Sequence, residues 1–306
     1  MRRILTRAGL LCLLYATACG RFGYDPLATE IDSGLAAVDS APSIDSTASI
    51  DSAPSVDSAP SVDSAGADAG SLTRSICGEQ GPLDDWQVVH YAMEDDLSDG
   101  AEDNSGNGID ALCVDQCPPT VAGVAGSGAL LGFNRILRAS GASLGPGLFA
   151  QGYTVMAFFR VAAKRSTPQT VIGKPVGAAE GNSFQFAVLP NNLSQQYNTD
   201  SVLDGRHSMT VTGDVPVEVW IHIAMVWDPA QTRKSLVSDG VEIRMTTVPE
   251  VDFDTRDLVM GADLDDDTTY DSIFVGGIDE VRIFKAPLPV AEIDACRQWA
   301  LGFGGS

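Results

Sequence analysis

The feature that most constrains this chain is a succession of short runs rich in Val, Ile, Phe and Tyr, separated by clusters of Gly, Asn, Asp and Pro, from about Ser75 to Phe303. Runs of that kind are too short for helices and read as strands of an antiparallel sandwich or barrel. Six stand out: Trp86 to Met93, Ala129 to Leu137, Tyr153 to Val161, Ser183 to Leu189, Val217 to Trp227 and Ser272 to Phe284. In the fifth, Val219, Ile221, Ile223, Met225 and Trp227 alternate with Trp220, His222, Ala224 and Val226. Both faces are largely apolar, which predicts a strand deep inside the fold. One helix is expected, Pro289 to Ala300, opened by a proline suited to a first turn and placing Ile293, Cys296 and Ala300 on one face.

Of 306 residues, 44% are hydrophobic, enough for a sizeable core, and 41 acidic against 19 basic side chains leave a formal charge of -22. Nucleic acid is excluded as a partner, because phosphate binding needs clustered Lys and Arg to displace counterions. The charge belongs mainly to residues 73–306, which hold 15 basic and 32 acidic side chains, a net of -17.

The opening segment reads differently. Arg2, Arg3 and Arg7 precede an apolar run from Ala8 to Tyr15 and then Ala16, Thr17 and Ala18, which is signal-peptide architecture over residues 1–18. The run falls far below the ~20 residues needed to span a bilayer as a helix. The segment Ala-Thr-Ala-Cys ending at Cys19 resembles the lipobox of bacterial lipoproteins. That resemblance implies cleavage before Cys19, lipidation of its thiol and membrane attachment through acyl chains. Each buried methylene contributes ~0.8 kcal/mol, so two or three chains anchor almost irreversibly where one does not. Gly20 stands where an Asp would signal inner-membrane retention, which favours the outer membrane.

Residues 19–72 are expected to be a disordered linker. From Val38 the chain repeats every six residues (VDSAPS, IDSTAS, IDSAPS, VDSAPS, VDSAGA), with one Val or Ile per repeat and no apolar face to bury. Asp39, Asp45, Asp51, Asp57 and Asp63 repel one another, and Pro42, Pro54 and Pro60 favour extended stretches. Roughly fifty such residues reach on the order of 150 Å when stretched, and about 40 Å on a flexible average.

In the folded part, GGIDEVRIFKAPLPVAEI (Gly276 to Ile293) resembles the closing signature of LamG-like concanavalin A-type jelly-roll domains. Four more stretches match in order: His90 to Gly108 with its D-x-S-G-N-G loop, Ala129 to Leu137, Tyr153 to Val161, and Val217 to Ile243 with its W-x-H-x-A strand and D-G hairpin. Leu288 and Pro289 depart from the family's usual helix cap, and Phe159 replaces a frequent Trp. The resemblance implies an all-β jelly-roll sandwich with a short C-terminal helix over 73–306. It also implies Ca²⁺ as a frequent structural cofactor, and lectin-type binding of extracellular glycan or surface protein.

Cys77, Cys113, Cys117 and Cys296 make an even number in an exported chain, and two disulfides with three connectivities are open. The jelly-roll resemblance, whose chain ends lie close together, favours Cys77 with Cys296 and Cys113 with Cys117. A zinc site on Cys113 and Cys117 would need a second Cys or His pair, which does not accompany them.

For Ca²⁺, which takes 6–8 oxygens, the family signatures point to Glu94, Asp103 and Asp279, the alternative being that Asp279 and Glu280 only hydrogen-bond the turn and the other carboxylates are solvated. The cluster Asp263 to Asp271 reads as a solvated loop. Hydrolysis of glycosides by retention needs two carboxyls about 5 Å apart. Asp252 and Asp254 come nearest, within a stretch better suited to a loop. His90 and His222 read as satisfied core histidines and His207 as a turn residue, and no G-x-S-x-G elbow occurs. Catalysis is therefore not expected. Tyr197, Tyr270 and Phe274 are candidate exposed contacts, and the ligand itself stays unassigned.

Overall fold

A computed structural model describes residues 77, 85–94, 96–177, 181–190, 192–196, 208–248, 250–265 and 269–302. Cys19, the six-residue repeat, Tyr197 and His207 lie outside them. The strands, in chain order, are β1 (Gln87–Tyr91), β2 (Gly100–Ala101), β3 (Ala111–Cys113), β4 (Thr120–Ala122), β5 (Ser127–Leu131), β6 (Leu137–Ala139), β7 (Tyr153–Val161), β8 (Gln169–Val176) and β9 (Gly181–Leu189). They continue with β10 (Asn192–Gln196), β11 (Met209–Thr212), β12 (Ile221–Asp228), β13 (Arg233–Ser238), β14 (Val241–Thr247), β15 (Leu258–Met260), β16 (Asp263–Asp265), β17 (Thr269–Asp271) and β18 (Gly276–Phe284). One helix, α1 (Val290–Ala300), follows.

Two antiparallel sheets face each other. The first runs β14-β13-β12-β7-β18-β5-β4, with β1 also paired to β18, and the second runs β11-β10-β9-β8-β15-β6-β3-β2. The alternation in β12 sorts as expected. Ile221, Ile223, Met225 and Trp227 enter the core between the sheets, while Ala224 and Val226 join a second cluster with Met156, Phe284, Ile293 and Cys296, beneath α1. An amphipathic helix thus covers the outer face of the first sheet, which is why its central strands are apolar on both sides. Between the sheets, aromatic rings interlock: Tyr153 with Phe184 at 5.3 Å and Phe159 with Phe186 at 5.1 Å between centroids. Each such ring contributes roughly 1.5–3 kcal/mol through burial.

Two disulfides staple this frame, Cys77 to Cys296 and Cys113 to Cys117. The first fastens α1, whose Ile293, Cys296 and Ala300 are buried as their spacing predicts.

Several expected strands are interrupted. Ala129 to Leu137 is two strands in different sheets: β5 ends at Leu131, and β6 begins at Leu137. Between them Asn134 takes a left-handed φ of 61°, turning the chain from one layer to the other. Val217 to Trp227 becomes a strand only at Ile221, because Glu218 has φ 58°. That leaves Val217 and Val219 exposed, while the Trp220 ring lies over Gly277 and Gly128, where added Cβ atoms would stand 2.6 and 3.3 Å from it. Asp263 to Asp271, expected as a solvated loop, is instead the hairpin β16-β17. Leu264 and Tyr270 of that hairpin pack with Ile136, Val259 and Ala262, so apolar contact holds it against the outer side of β15.

Candidate functional site

The three carboxylates expected to hold Ca²⁺, Glu94, Asp103 and Asp279, all accept from backbone N–H groups. Asp103 opens the D-x-S-G-N-G loop. Its Oδ1 accepts from the His90 and Ser105 amides, each at 3.0 Å, and its Oδ2 accepts from Ile109 at 3.0 Å. Asn107, four residues on, donates its amide to the Gln87 and Val88 carbonyls. The spacing of Asp103, Ser105 and Asn107 is therefore the pattern that sews this loop to β1.

Glu94 and Asp279 meet on a different segment, the turn between β4 and β5. Glu94 Oε2 accepts from Ser127 N at 3.0 Å, and Asp279 Oδ2 accepts from Val124 N at 2.7 Å and Ala125 N at 3.4 Å. The approach is close enough to demand glycine. A Cβ on Gly126, at φ 69°, would stand 2.1 Å from Glu94 Oε2, and one on Gly123 would stand 2.5 Å from Asp279 Oδ2. Burial pushes the Asp279 carboxyl up to about 7, against the pull of the Val124 N–H. Glu94 and Asp279 are thus brought to one loop, and Asp103 serves another. Among the described residues no three His, Cys, Asp or Glu side chains gather closely enough to hold a metal ion, so the expected three-carboxylate set does not fit a cation as a unit.

Asp279 and Glu280 share a side of β18 because the strand carries a bulge: its register against β7 shifts between Asp279 and Arg282, and Glu280 has φ 50°. Ile278, Val281 and Ile283 all reach the core as a result. On the other side, Glu280 Oε2 accepts from Arg282 Nη2 at 2.7 Å and lies 3.1 Å from His90 Nε2. Burial alone would raise the Glu280 carboxyl, but the bond to His90 and the Arg282 charge outweigh it and hold the group below the usual range. His90 is thus a satisfied histidine, as expected.

His222 is not. Its ring is buried against Phe158 at 4.8 Å, and Nδ1 has no hydrogen-bond partner. Burial, reinforced by the Arg297 and Arg282 charges and opposed by Asp294, lowers it to about 3. In the unfolded chain the group titrates near 6.5. Between those values the unfolded state binds a proton that the native state does not, so stability falls as pH drops through and below 6.5. The difference amounts to on the order of 2 kcal/mol at pH 5. Melting His222→Leu beside the parent at pH 7 and pH 5 checks this: the variant should lose less stability on acidification, and equal losses would show that His222 does not contribute.

Of the candidate aromatic contacts, Phe274 is fully buried in the core and is corrected to a packing residue. Tyr270 is partly buried, and its hydroxyl accepts from Arg138 Nη1 at 3.3 Å. Arg138 also pairs with Asp257, whose Oδ1 accepts from Gly141 N at 2.7 Å. Lys174, lowered to about 8 by burial, donates to the Asp254 and Arg256 carbonyls at 3.0 and 2.7 Å. Asp254 in turn accepts from the Gly177 and Arg256 amides. The stretch Val251 to Asp257, read as a loop, is therefore a strap tied down by its own carboxylates and carbonyls.

Two clefts open on the surface of the described residues. One, of about 290 Å³, lies beside the start of α1 and is lined by Asp228, Arg233, Glu242 and Leu288 among others. The other, of about 370 Å³, is lined by Gln87, Asn107, Ser143 and Lys285 among others.

Two facing antiparallel sheets closed by a terminal helix define a lectin-type sandwich. The chain belongs to the concanavalin A-like lectin/glucanases superfamily, whose Laminin_G_3 model matches residues 138–294. No curated protein matches it. Solved structures share the fold. The binding domain of Paraclostridial Mosquitocidal Protein 1 is 14% identical, with a TM-score of 0.53 over 69% of this chain and 52% of that one. The Botulinum neurotoxin serotype D ligand binding domain in complex with N-acetylneuraminic acid is 12% identical, with a TM-score of 0.50 over 69% and 50%. The binding domain of Botulinum neurotoxin DC in complex with rat synaptotagmin II is 11% identical, with a TM-score of 0.50 over 71% and 52%. The chain spans about half the length of these structures.

Proposed function

We propose that this chain is a non-catalytic binding module of the outer membrane, tethered through acylated Cys19 and the repeat-rich linker, whose sandwich engages an extracellular glycan or surface protein. The observation that carries the reading is the engagement of the acidic side chains. Asp103, Asp254 and Asp279 each accept two or more backbone N–H groups, and none stands free as half of a hydrolytic pair. The fold neighbours support it, since one is seen with N-acetylneuraminic acid and another with rat synaptotagmin II. In this reading a Ca²⁺ ion would be held by Glu94 and Asp279 with backbone carbonyls of residues 123–127, without Asp103. Its role would be to stabilise that turn, so an unchanged melting temperature on adding chelator removes it.

The test uses the full chain in detergent on a glycan array and in a pull-down. Retention of defined sugars, or of one surface protein, supports binding. Release of reducing ends from labelled polysaccharide would show an enzyme instead. In cells, Cys19→Ser should move the protein out of the membrane fraction, and a variant that still sediments with membranes would rule out the lipid anchor.

A further inference from the structure

The turn between β5 and β6 displays a phenylalanine that the core does not use. Phe133 is 62% exposed. It sits at the tip of the turn Gly132 to Arg135, whose ends exchange backbone hydrogen bonds, Arg135 N to Gly132 O at 3.0 Å and Gly132 N to Arg135 O at 3.3 Å. Behind the tip stands the loop closed by Cys113 and Cys117, bonded to the turn from Val114 N to Ile136 O at 3.0 Å and from Gln116 N to Asn134 O at 2.8 Å. A single exposed apolar side chain is ordinary. One held on a disulfide-backed turn, with its backbone fixed before any partner arrives, is a preorganised contact that loses little entropy on binding.

The charge around it is unusual for this domain. Residues 73–306 carry a net of -17, and most cations are already engaged: Arg138 with Asp257, Arg233 with Glu242, Arg282 with Glu280 and Arg297 with Asp294. Arg165 instead places its guanidinium carbon 4.7 Å from the Phe133 ring centroid. Among the described residues, neither it nor Arg135 makes an ion pair. Salt screens charges beyond about 8 Å at physiological strength. The local charges, Arg135 and Arg165 against Asp115 of the loop behind the tip, therefore decide attraction for a ligand with one negative group, whereas a long polyanion would meet the acidic remainder of the domain.

We infer that Phe133 and Arg165 form a subsite for a single acidic sugar residue, with the apolar C–H face of the sugar against the exposed part of the Phe133 ring and its carboxylate on the Arg165 guanidinium beside it. The inference rests on the binding reading above and specifies its ligand class. The full chain in detergent is titrated with 3′-sialyllactose and digalacturonate, with lactose as the neutral control. The acidic probes should bind and lactose should not. Phe133→Ala should weaken binding about tenfold, as loss of one stacked ring would, at unchanged melting temperature. Phe133→Tyr should preserve binding, and Arg165→Gln should weaken the acidic probes. Acidic-sugar binding that survives Phe133→Ala would overturn the subsite and leave the binding reading standing, as would binding of lactose alone. Phe133-dependent attachment to phosphatidylglycerol vesicles, with no sugar bound, would overturn the ligand class in favour of a lipid surface. If no glycan on the array and no protein in the pull-down is retained, the broader reading fails with it.

Discussion

Replacing Arg282 with methionine should destabilise the sandwich by about 3–5 kcal/mol, the usual loss when one partner of a buried ion pair is removed. Arg282 is 4% exposed and Glu280 is 5% exposed, so water cannot take over the role of the guanidinium. Nε and Nη2 both donate to Glu280 Oε2, at 3.2 and 2.7 Å, and Nη1 donates to Gln87 Oε1 at 3.3 Å. The guanidinium carbon also lies 5.0 Å from the Trp299 ring centroid of α1. Methionine keeps the packing and removes the charge, leaving the Glu280 carboxylate with His90 alone. For a domain of this size the melting temperature should fall by roughly 10 °C. Adding Glu280→Gln should recover a substantial part, because the group left behind is then neutral and can still hydrogen-bond His90. If Arg282→Met melts with the parent protein, or if the second substitution makes matters worse, the buried charge does not hold the bulge.

That bulge also explains where reading the sequence ran out. Alternation gave the right faces in β12, where Ile221 to Trp227 run without interruption, and spacing gave the buried side of α1. The motif around Asp279 and Glu280 pointed to the family without revealing its geometry. Strict alternation would put Ile278, Glu280 and Arg282 on one face, whereas Ile278, Val281 and Ile283 share the core. One left-handed residue flips the parity of everything after it. Glu280, Glu218 and Asn134 all do this without being glycine, so composition carries no warning, and each is tolerated because surrounding bonds fix it. Phe133 was hidden for the same reason: within an apparent strand it reads as another packed aromatic, and only the turn at Asn134 brings it outside. The carboxylates were visible as a set, but which amides they accept depends on loops that meet across long sequence separations, Glu94 with Ser127 and Asp279 with Val124.

The two disulfides should differ sharply in what their removal does. In the chain-entropy model, a cross-link across 219 residues restricts the unfolded chain by about 5 kcal/mol, and one across 4 residues by about 2 kcal/mol. The native environments reinforce the contrast. Cys77 and Cys296 are both buried, in the cluster with Met156, Ala224, Phe284 and Ile293 that joins α1 to the first sheet, whereas Cys117 is only partly covered. Cys77→Ser with Cys296→Ser should therefore lower the midpoint of urea unfolding severely and free α1 first, seen as early hydrogen exchange over residues 290–300. Cys113→Ser with Cys117→Ser should cost far less stability while loosening the turn that carries Phe133. Equal unfolding midpoints for the two double variants would refute this ordering and would mean that native packing under α1, more than restriction of the unfolded chain, holds the C-terminal end in place.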